Sequence, residues 1–382
     1  MGKSKVVLVK CNDYGVEQVY DAVSRGVKLL GGMANFAKPN ERIVLKPNIL
    51  IASHPDKCIT THPSVVRAVG LLLQQSGVVV SYGDSPSIGG CALNSRGAGI
   101  KRVADELGIV MADFDHGREV SHATALLARK FVLANGILDA DGVVSLPKLK
   151  THGLTRMTGA VKNQFGCVPG ILKGQFHAKM ADPYDFATML VDINTFIRPR
   201  LYVMDAVMAM EGNGPRNGKP RRLDALLLSA DPVALDAIAC KIIALEPEFV
   251  PTSKPGEKAG LGTYHYEDIE VAGDNIELFI TRDFQVTREP PVPATAGHLR
   301  RFIRNRITPR PVIDKARCTS CGRCIDICPV GHTALDWILC EAGKLPKHNY
   351  SHCIRCYCCQ EVCPEGAITI EKPLLGRVVF RG

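Results

Sequence analysis

Over the first 275 positions, short runs of aliphatic and β-branched residues alternate with longer stretches whose apolar positions recur every three or four residues. The runs predict strands over 5–9, 42–45, 78–82, 109–112, 142–146, 201–203 and 226–229. Between them the helical period predicts helices over 17–30, 63–75, 100–107, 183–196 and 232–243. Asp231-Pro232 reinforces the last of these, an acidic N-cap followed by proline in the first helical position. Such alternation is the signature of an α/β fold, a mostly parallel sheet covered by helices. From 281 the text turns to REPPVPATAG and then to an Arg-rich segment, the composition of a linker. The expected organisation is an α/β domain over 1–280, a Pro- and Arg-rich linker over 281–311 and a small domain over 312–382.

At 382 residues and 46% hydrophobic, the chain is long enough for two or more cores. No run of 18 apolar residues occurs, and the most hydrophobic helical stretch carries Arg67, Gln74 and Gln75, so no membrane span is expected. The apolar run near the N-terminus is too short for a signal sequence, which gives a cytoplasmic expectation. A net charge of +9 admits nucleic acid, an acidic redox partner or an anionic substrate. Part of it sits in one connector, with Arg300, Arg301, Arg304, Arg306, Arg310, Lys315 and Arg317 against Asp314 alone. With no zinc-finger or RRM signature, nucleic acid is not an expected partner.

Cysteine changes the picture most. Of 15 cysteines, nine fall in two arrays, CTSCGRCIDICP from Cys318 and CIRCYCCQEVCP from Cys353, eight of them at the same spacing repeated 35 positions apart. The pattern CxxCxxCxxxCP wraps three thiolates around one iron–sulfur cube and sends the fourth to a neighbouring cube, so two copies form a self-supporting pair. Paired zinc sites are the alternative, disfavoured because both copies share the same three spacings and the terminal proline. The region 312–371 resembles bacterial-type ferredoxins with two [4Fe-4S] clusters, a small α+β domain. That resemblance implies that Cys318, Cys321, Cys324 and Cys363 hold one cluster, and Cys328, Cys353, Cys356 and Cys359 the other. Two departures are an insertion carrying Trp337 and Cys340, and an additional thiol, Cys358, beside Cys359. Cys11, Cys58, Cys91, Cys167 and Cys240 read as small buried apolar residues, Cys167 being the one to test for reactivity.

Polar strings follow several predicted strands, at the edge where open α/β sheets bind ligands. Lys46, Asn48, Lys148, Lys150, Lys162 and Asn163 form a candidate binding set for carboxylate or phosphate. Among the acids, Asp84, Asp205 and Glu211 are candidate proton donors or metal ligands, whereas Asp231 is explained as a cap and Asp236 lies one turn beyond it. His62 and His152 titrate near neutrality and are candidate acids or anion donors, with a hydrogen-bonded structural role the competing reading. The GNGP turn at 212–215 lets backbone approach a ligand or is simply a turn. Nucleotide motifs fail: GNGPRNGKP lacks the first glycine and the Ser/Thr of a phosphate loop, and GAGIKR ends in arginine.

Taken in order, KPN, THP, GDSP, LPKLKTH, GAVKN, EGNGP and SADPVALDA resemble the family called domain of unknown function 362, over 6–245. That family is often joined to a ferredoxin-like cysteine domain, and the resemblance implies fold and pairing without a reaction. The expected function is iron–sulfur electron transfer: an oxidoreductase moving low-potential electrons between two [4Fe-4S] clusters and an anionic small molecule, with His152, Asp84, Asp205 and Glu211 as catalytic candidates. Its redox partner would be a ferredoxin, flavodoxin or enzyme. The alternatives are a non-catalytic electron carrier or redox-sensing adaptor docking on a partner enzyme, and a ligase or transferase with structural clusters.

Overall fold

The computed structural model describes residues 2–294, 305–340 and 343–379. Of the connector arginines, Arg300, Arg301 and Arg304 lie outside the described residues.

The main sheet runs, edge to edge, Ile269–Gly273, Ser4–Lys10, Lys219–Ser229, Leu201–Glu211, Gly142–Leu146, Arg42–Pro47, Val79–Tyr82 and Val110–Met111. Every neighbouring pair along this path is parallel except those made by Lys219–Ser229, which opposes both its neighbours. The fold is therefore α/β with a mostly parallel sheet. Strands of this kind are covered on both faces, which is why they read as continuous apolar runs. Val6 and Leu8 enter one core with Val143, Tyr202 and Leu227, while Val7 and Val9 enter the other with Val144, Leu201, Leu226 and Leu228.

Helix Pro63–Gln75 starts where His62 Nδ1 accepts the Ser64 N–H, with Pro63 in the first turn. Helix Pro232–Ile242 starts where Asp231 accepts from Val233 and Ala234, both at 2.8 Å.

Two expected strands are far longer than their apolar runs. Leu201–Glu211 and Lys219–Ser229 form an antiparallel hairpin whose bulge, between Ala206 and Met208, redirects the strand past the sheet edge. On either side of this bulge the strand pairs with Lys148–His152, placing Asp205 opposite Lys148 and Met210 opposite Lys150. The PKLKTH string is thus a fully buried strand, not a loop beyond one. GNGPRNG is the hairpin tip.

The cysteine region is a small α+β unit. Arg310–Ile313 pairs antiparallel with Ile368–Glu371, and Leu335–Cys340 with Gly343–His348, so the insertion carrying Trp337 and Cys340 is a hairpin. Short helices Arg323–Asp326 and Cys358–Val362 pack with Leu335, Ala367 and Ile368 into a core of its own.

Candidate functional site

Chain folding sorts the eight motif cysteines into two rings. Cys318, Cys321, Cys324 and Cys363 line one small cavity with Ile313 and Ile368. Cys328, Cys353, Cys356 and Cys359 line a second with Leu335, Pro311 and Tyr357. Each ring takes three thiols from one motif and the last from the other. The thiols surround cavities and do not converge on a point: among the described residues, no three His, Cys, Asp or Glu side chains are grouped to hold a single metal ion. Amide and imidazole groups face the sulfurs, with Ala367 N–H donating to Cys363 Sγ at 3.3 Å and His348 Nε2 3.4 Å from Cys359 Sγ. A soft, four-thiol donor set in an apolar shell fits an iron–sulfur cluster in each ring. Cys340 is exposed and outside both rings, while Cys358 is buried and faces elsewhere.

Where Cys358 faces is a cleft of about 690 Å³ between the two units. The sheet side supplies Lys46, Asn48, Asp84, Lys162 and Asn163; the cysteine unit supplies Cys328, Pro329, Cys358 and Glu361. Lys173 and His177, from helix Lys173–Lys179, close the third wall. At the floor, Lys46 Nζ lies 2.7 Å from Asp84 Oδ1 and 3.2 Å from Asn163 Oδ1, and Asp84 Oδ2 accepts the Ile49 N–H at 2.6 Å. Asn163 donates to Ser145 Oγ and to the Lys46 carbonyl, so this floor is rigid. Gly166 is required here, because a Cβ would overlap Asp84 Oδ1. Asn48 Oδ1 and His177 Nδ1 face no protein partner.

The helix carrying Lys162 and Asn163, Ala160–Asn163, is held by Asp236, which accepts from Ala160 N at 2.6 Å and Val161 N at 3.2 Å. Asp236, one turn past a cap in SADPVALDA, is therefore the residue that positions GAVKN. Gly159 lets it approach, since a Cβ there would collide with its carboxyl.

Other candidates do not line the cleft. Lys148 Nζ pairs with Asp205 Oδ2 at 2.8 Å, both fully buried and joined by the Tyr14 hydroxyl. Lys150 Nζ donates to the Ile59 carbonyl at 2.6 Å, and burial pushes its pKa well down. Glu211 accepts the Gln285 N–H at 3.0 Å. His152, which does not line the cleft, meets Glu361 of the cysteine unit, Nε2 to Oε1 2.9 Å. Burial opposes charge on both, yet His152, Lys162 and His177 together hold Glu361 down at about 2, while burial takes His152 to about 4. Lys173 and His177 were not among the sequence candidates; their helix, KGQFHAK, offers neither a glycine signature nor an apolar period to mark it.

The hairpin tip is a latch. Asn213 Oδ1 accepts from Gln360 Nε2 at 2.8 Å, Asn213 Nδ2 donates to the Ile368 carbonyl at 3.1 Å, and Arg216 and Asn217 donate to the carbonyls of Val362 and Cys363 at 2.6 and 3.1 Å. Asn213→Ala removes two of these bonds and should cost about 2 kcal/mol. Hydrogen exchange at Gln360 should then quicken while exchange in the main sheet does not.

Burial, with a smaller contribution from neighbouring lysines, brings His62 and His177, like His152, to about 4. The unfolded chain takes up these protons near 6.5 and the native one only near 4, so stability is complete above the first value and declines as pH falls toward the second. Asp236, raised by burial to about 7, acts in the opposite sense: its native form keeps a proton that the unfolded chain has released, so stability falls as pH rises from the ordinary carboxyl range to 7. Urea midpoints at pH 7 and 5 should show His177→Leu with a flatter pH slope than the parent.

Comparison with known proteins gives the geometry a family. The family described as Domain of unknown function (DUF362) matches residues 43–241, more than half the chain. The chain belongs to that family. In this DUF362 protein a 4Fe-4S dicluster domain matches residues 310–364, so the chain carries an iron–sulfur domain behind its α/β unit. It is 37% identical over 257 residues to the thylakoid-associated protein sll1697 of Synechocystis, covering 67% of this chain and 79% of that one. Among solved structures, the lactate racemase apoprotein of Thermoanaerobacterium thermosaccharolyticum aligns with TM-score 0.40 and 12% identity over 62% of this chain, which spans 56% of the racemase.

Proposed function

We propose that this DUF362 protein is an iron–sulfur oxidoreductase in which two [4Fe-4S] clusters, one per thiol ring, serve a small anionic ligand held in the cleft. One observation carries the reading: Cys328 and Pro329 line both the second ring and the cleft, whereas the first ring shares no lining residue with it. The second ring is thus the proximal one. Clusters of this ligation supply single electrons, commonly at low potential. The chain's own residues do the rest. Lys162 and Lys173 attract the anion, Asn48 offers an unpaired carbonyl oxygen to a ligand donor, and the Lys46–Asp84–Asn163 floor keeps them in register. Neither His152 nor Asp205 reaches the cleft, so neither is assigned a proton-transfer role.

Electrons enter at the first ring, whose Cys321 is exposed beside exposed Lys315, Arg317 and Arg323. This basic rim fits an acidic one-electron carrier, a ferredoxin or flavodoxin. Among the described residues no helix is long and apolar enough to cross a membrane, and we place the reaction in the cytoplasm, where free thiols such as Cys340 stay reduced. To test the assignment, the protein is reconstituted without oxygen, reduced, and offered a panel of small carboxylates and phosphates. Reoxidation by a ligand whose binding Lys162→Ala abolishes is expected; no reoxidation by any anion that binds would overturn it. The basic rim also supports a second reading, a carrier or adaptor docked on an enzyme, which predicts a stoichiometric protein partner and no small-molecule binding.

A further inference from the structure

Exposed Lys179 apart, the lysines packed around the cleft have partners with one exception. Lys46 is paired with Asp84, Lys148 with Asp205, Lys150 with the Ile59 carbonyl and Lys173 with the Ser85 carbonyl. Lys162, half-buried in the cleft wall, makes no hydrogen bond or ion pair among the described residues. Its backbone is nonetheless fixed from both sides, by Asp236 at the helix start and by Asn163 locked to Ser145 and Lys46. A rigidly presented amine with no acceptor of its own, beside a second cation and a neutral imidazole, has the requirements of an amine nucleophile.

We propose that Lys162 forms an imine with the cleft ligand, which is accordingly a small carbonyl compound bearing a carboxylate, of the 2-oxo acid class. The proposal rests on the anionic-ligand reading of the cleft and names the chemistry of that ligand. Its carboxylate lies toward Lys173, whose Nζ stands 5.9 Å from the Phe165 ring centre, and its carbonyl toward Lys162. The Lys162 nitrogen lone pair forms a bond to the carbonyl carbon; the carbonyl oxygen departs as water with the two hydrogens of the amine, leaving a C=N bond. No electron changes hands in this step. His177 lines the same cavity with an unpartnered ring nitrogen and, held neutral by burial, can take the proton from nitrogen and return it to the departing oxygen.

The electrostatics agree with the geometry. Burial lowers the Lys162 pKa; Glu361 and Cys358 offset part of this, Lys46 adds to it, and Asp84 opposes it. The free-amine fraction at neutral pH is therefore larger than for a surface lysine, by about tenfold for each unit of lowering. Reduction also becomes easier, since a protonated imine is more electron-poor than the ketone from which it came.

The test uses the full chain with its clusters in the oxidised state, pyruvate or glyoxylate as the probe, and cyanoborohydride to reduce any imine to a stable amine. Peptide mapping should find one adduct at Lys162, forming about tenfold or more faster than at exposed Lys28 or Lys57. It should saturate with probe, slow when inorganic phosphate competes for the cleft, and vanish in Lys162→Arg, which keeps the charge. Adducts spread evenly over exposed lysines, or a Lys162 adduct that neither saturates nor yields to phosphate, would overturn the proposal. Competition in the parent protein needs no variant, so a folding defect in Lys162→Arg does not blunt the result. Failure here is distinguishable from failure of the electron-transfer reading. Cluster reoxidation by an anion without any adduct sinks the imine alone; a saturable adduct without reoxidation supports the imine and sinks the redox reading.

Discussion

Cys356→Ser should remove about half of the iron, from about eight atoms per chain to about four, and should abolish reoxidation by any cleft ligand. Cys321→Ser should remove the other half while leaving the cleft able to bind its anion. The reason is geometric. Cys356 belongs to the ring that shares Cys328 and Pro329 with the cleft, and helix Cys358–Val362, which follows it directly, presents Cys358 and Glu361 as cleft wall. Without the object that its four thiols enclose, that ring has no reason to keep its shape, and the wall moves with it. Cys321 is exposed on the far ring, with no lining residue in common with the cleft. Iron and sulfide analysis, spectra of the reduced protein and anion titration of both variants separate the outcomes. Loss of nearly all the iron from either variant would mean that the rings are not independent, and equal loss of anion affinity in the two would mean that neither is proximal.

Much of the fold was legible because burial on both faces writes continuous apolar runs. VVLV at 6–9 and IVL at 43–45 were readable as strands for that reason, and Asp231-Pro232 as a helix start because both residues act locally. The same logic fails for Lys148–His152. A strand whose alternate positions are Lys148, Lys150 and His152 carries no hydrophobic signature, since each of these side chains is met by a tertiary partner: Asp205, the Ile59 carbonyl and Glu361. Nothing in local sequence announces that 57 residues separate Lys148 from its counter-ion.

The thiol rings illustrate the opposite case: the ferredoxin resemblance implied the two sets of four, and the same sets line the two small cavities, three thiols from one motif and the fourth from the other. The cleft was half legible. Lys46, Asn48, Lys162, Asn163 and Asp84 do converge, being at the ends of adjacent parallel strands or on the helix just beyond. Lys173, His177, Cys358 and Glu361 could not be anticipated, because two come from an unmarked helix and two from the other domain. EGNGP, read as a turn that approaches a ligand or as a plain turn, is a turn whose Asn213, with Asn217 just beyond it, holds the cysteine unit against the sheet.

Asp205→Ala should destabilise the protein by about 3–5 kcal/mol, whereas the double change Lys148→Met with Asp205→Asn, which keeps an oxygen acceptor for Tyr14 and His62, should cost far less. Asp205 is fully buried and accepts from Lys148 Nζ at 2.8 Å, from the Tyr14 hydroxyl at 2.7 Å and from the His62 N–H at 2.9 Å. Its removal leaves the Lys148 ammonium in an apolar interior with one neutral hydroxyl, 2.8 Å away, in place of a counter-ion. That uncompensated charge is the larger part of the cost; losing the bond to Tyr14 loosens the ring that stacks on His62 at 3.6 Å and so disturbs the start of helix Pro63–Gln75 as well. Replacing both charges by uncharged side chains of similar volume removes the desolvation penalty together with the attraction, which is why the pair is costly to break and cheaper to replace. In a domain of this size the single change should lower the melting temperature by on the order of 10 °C. The comparison also tests the site. A double variant that melts near the parent temperature and still binds the cleft anion assigns Lys148 and Asp205 to structure; one that folds normally but loses anion binding would return both to the functional site from which their burial separates them.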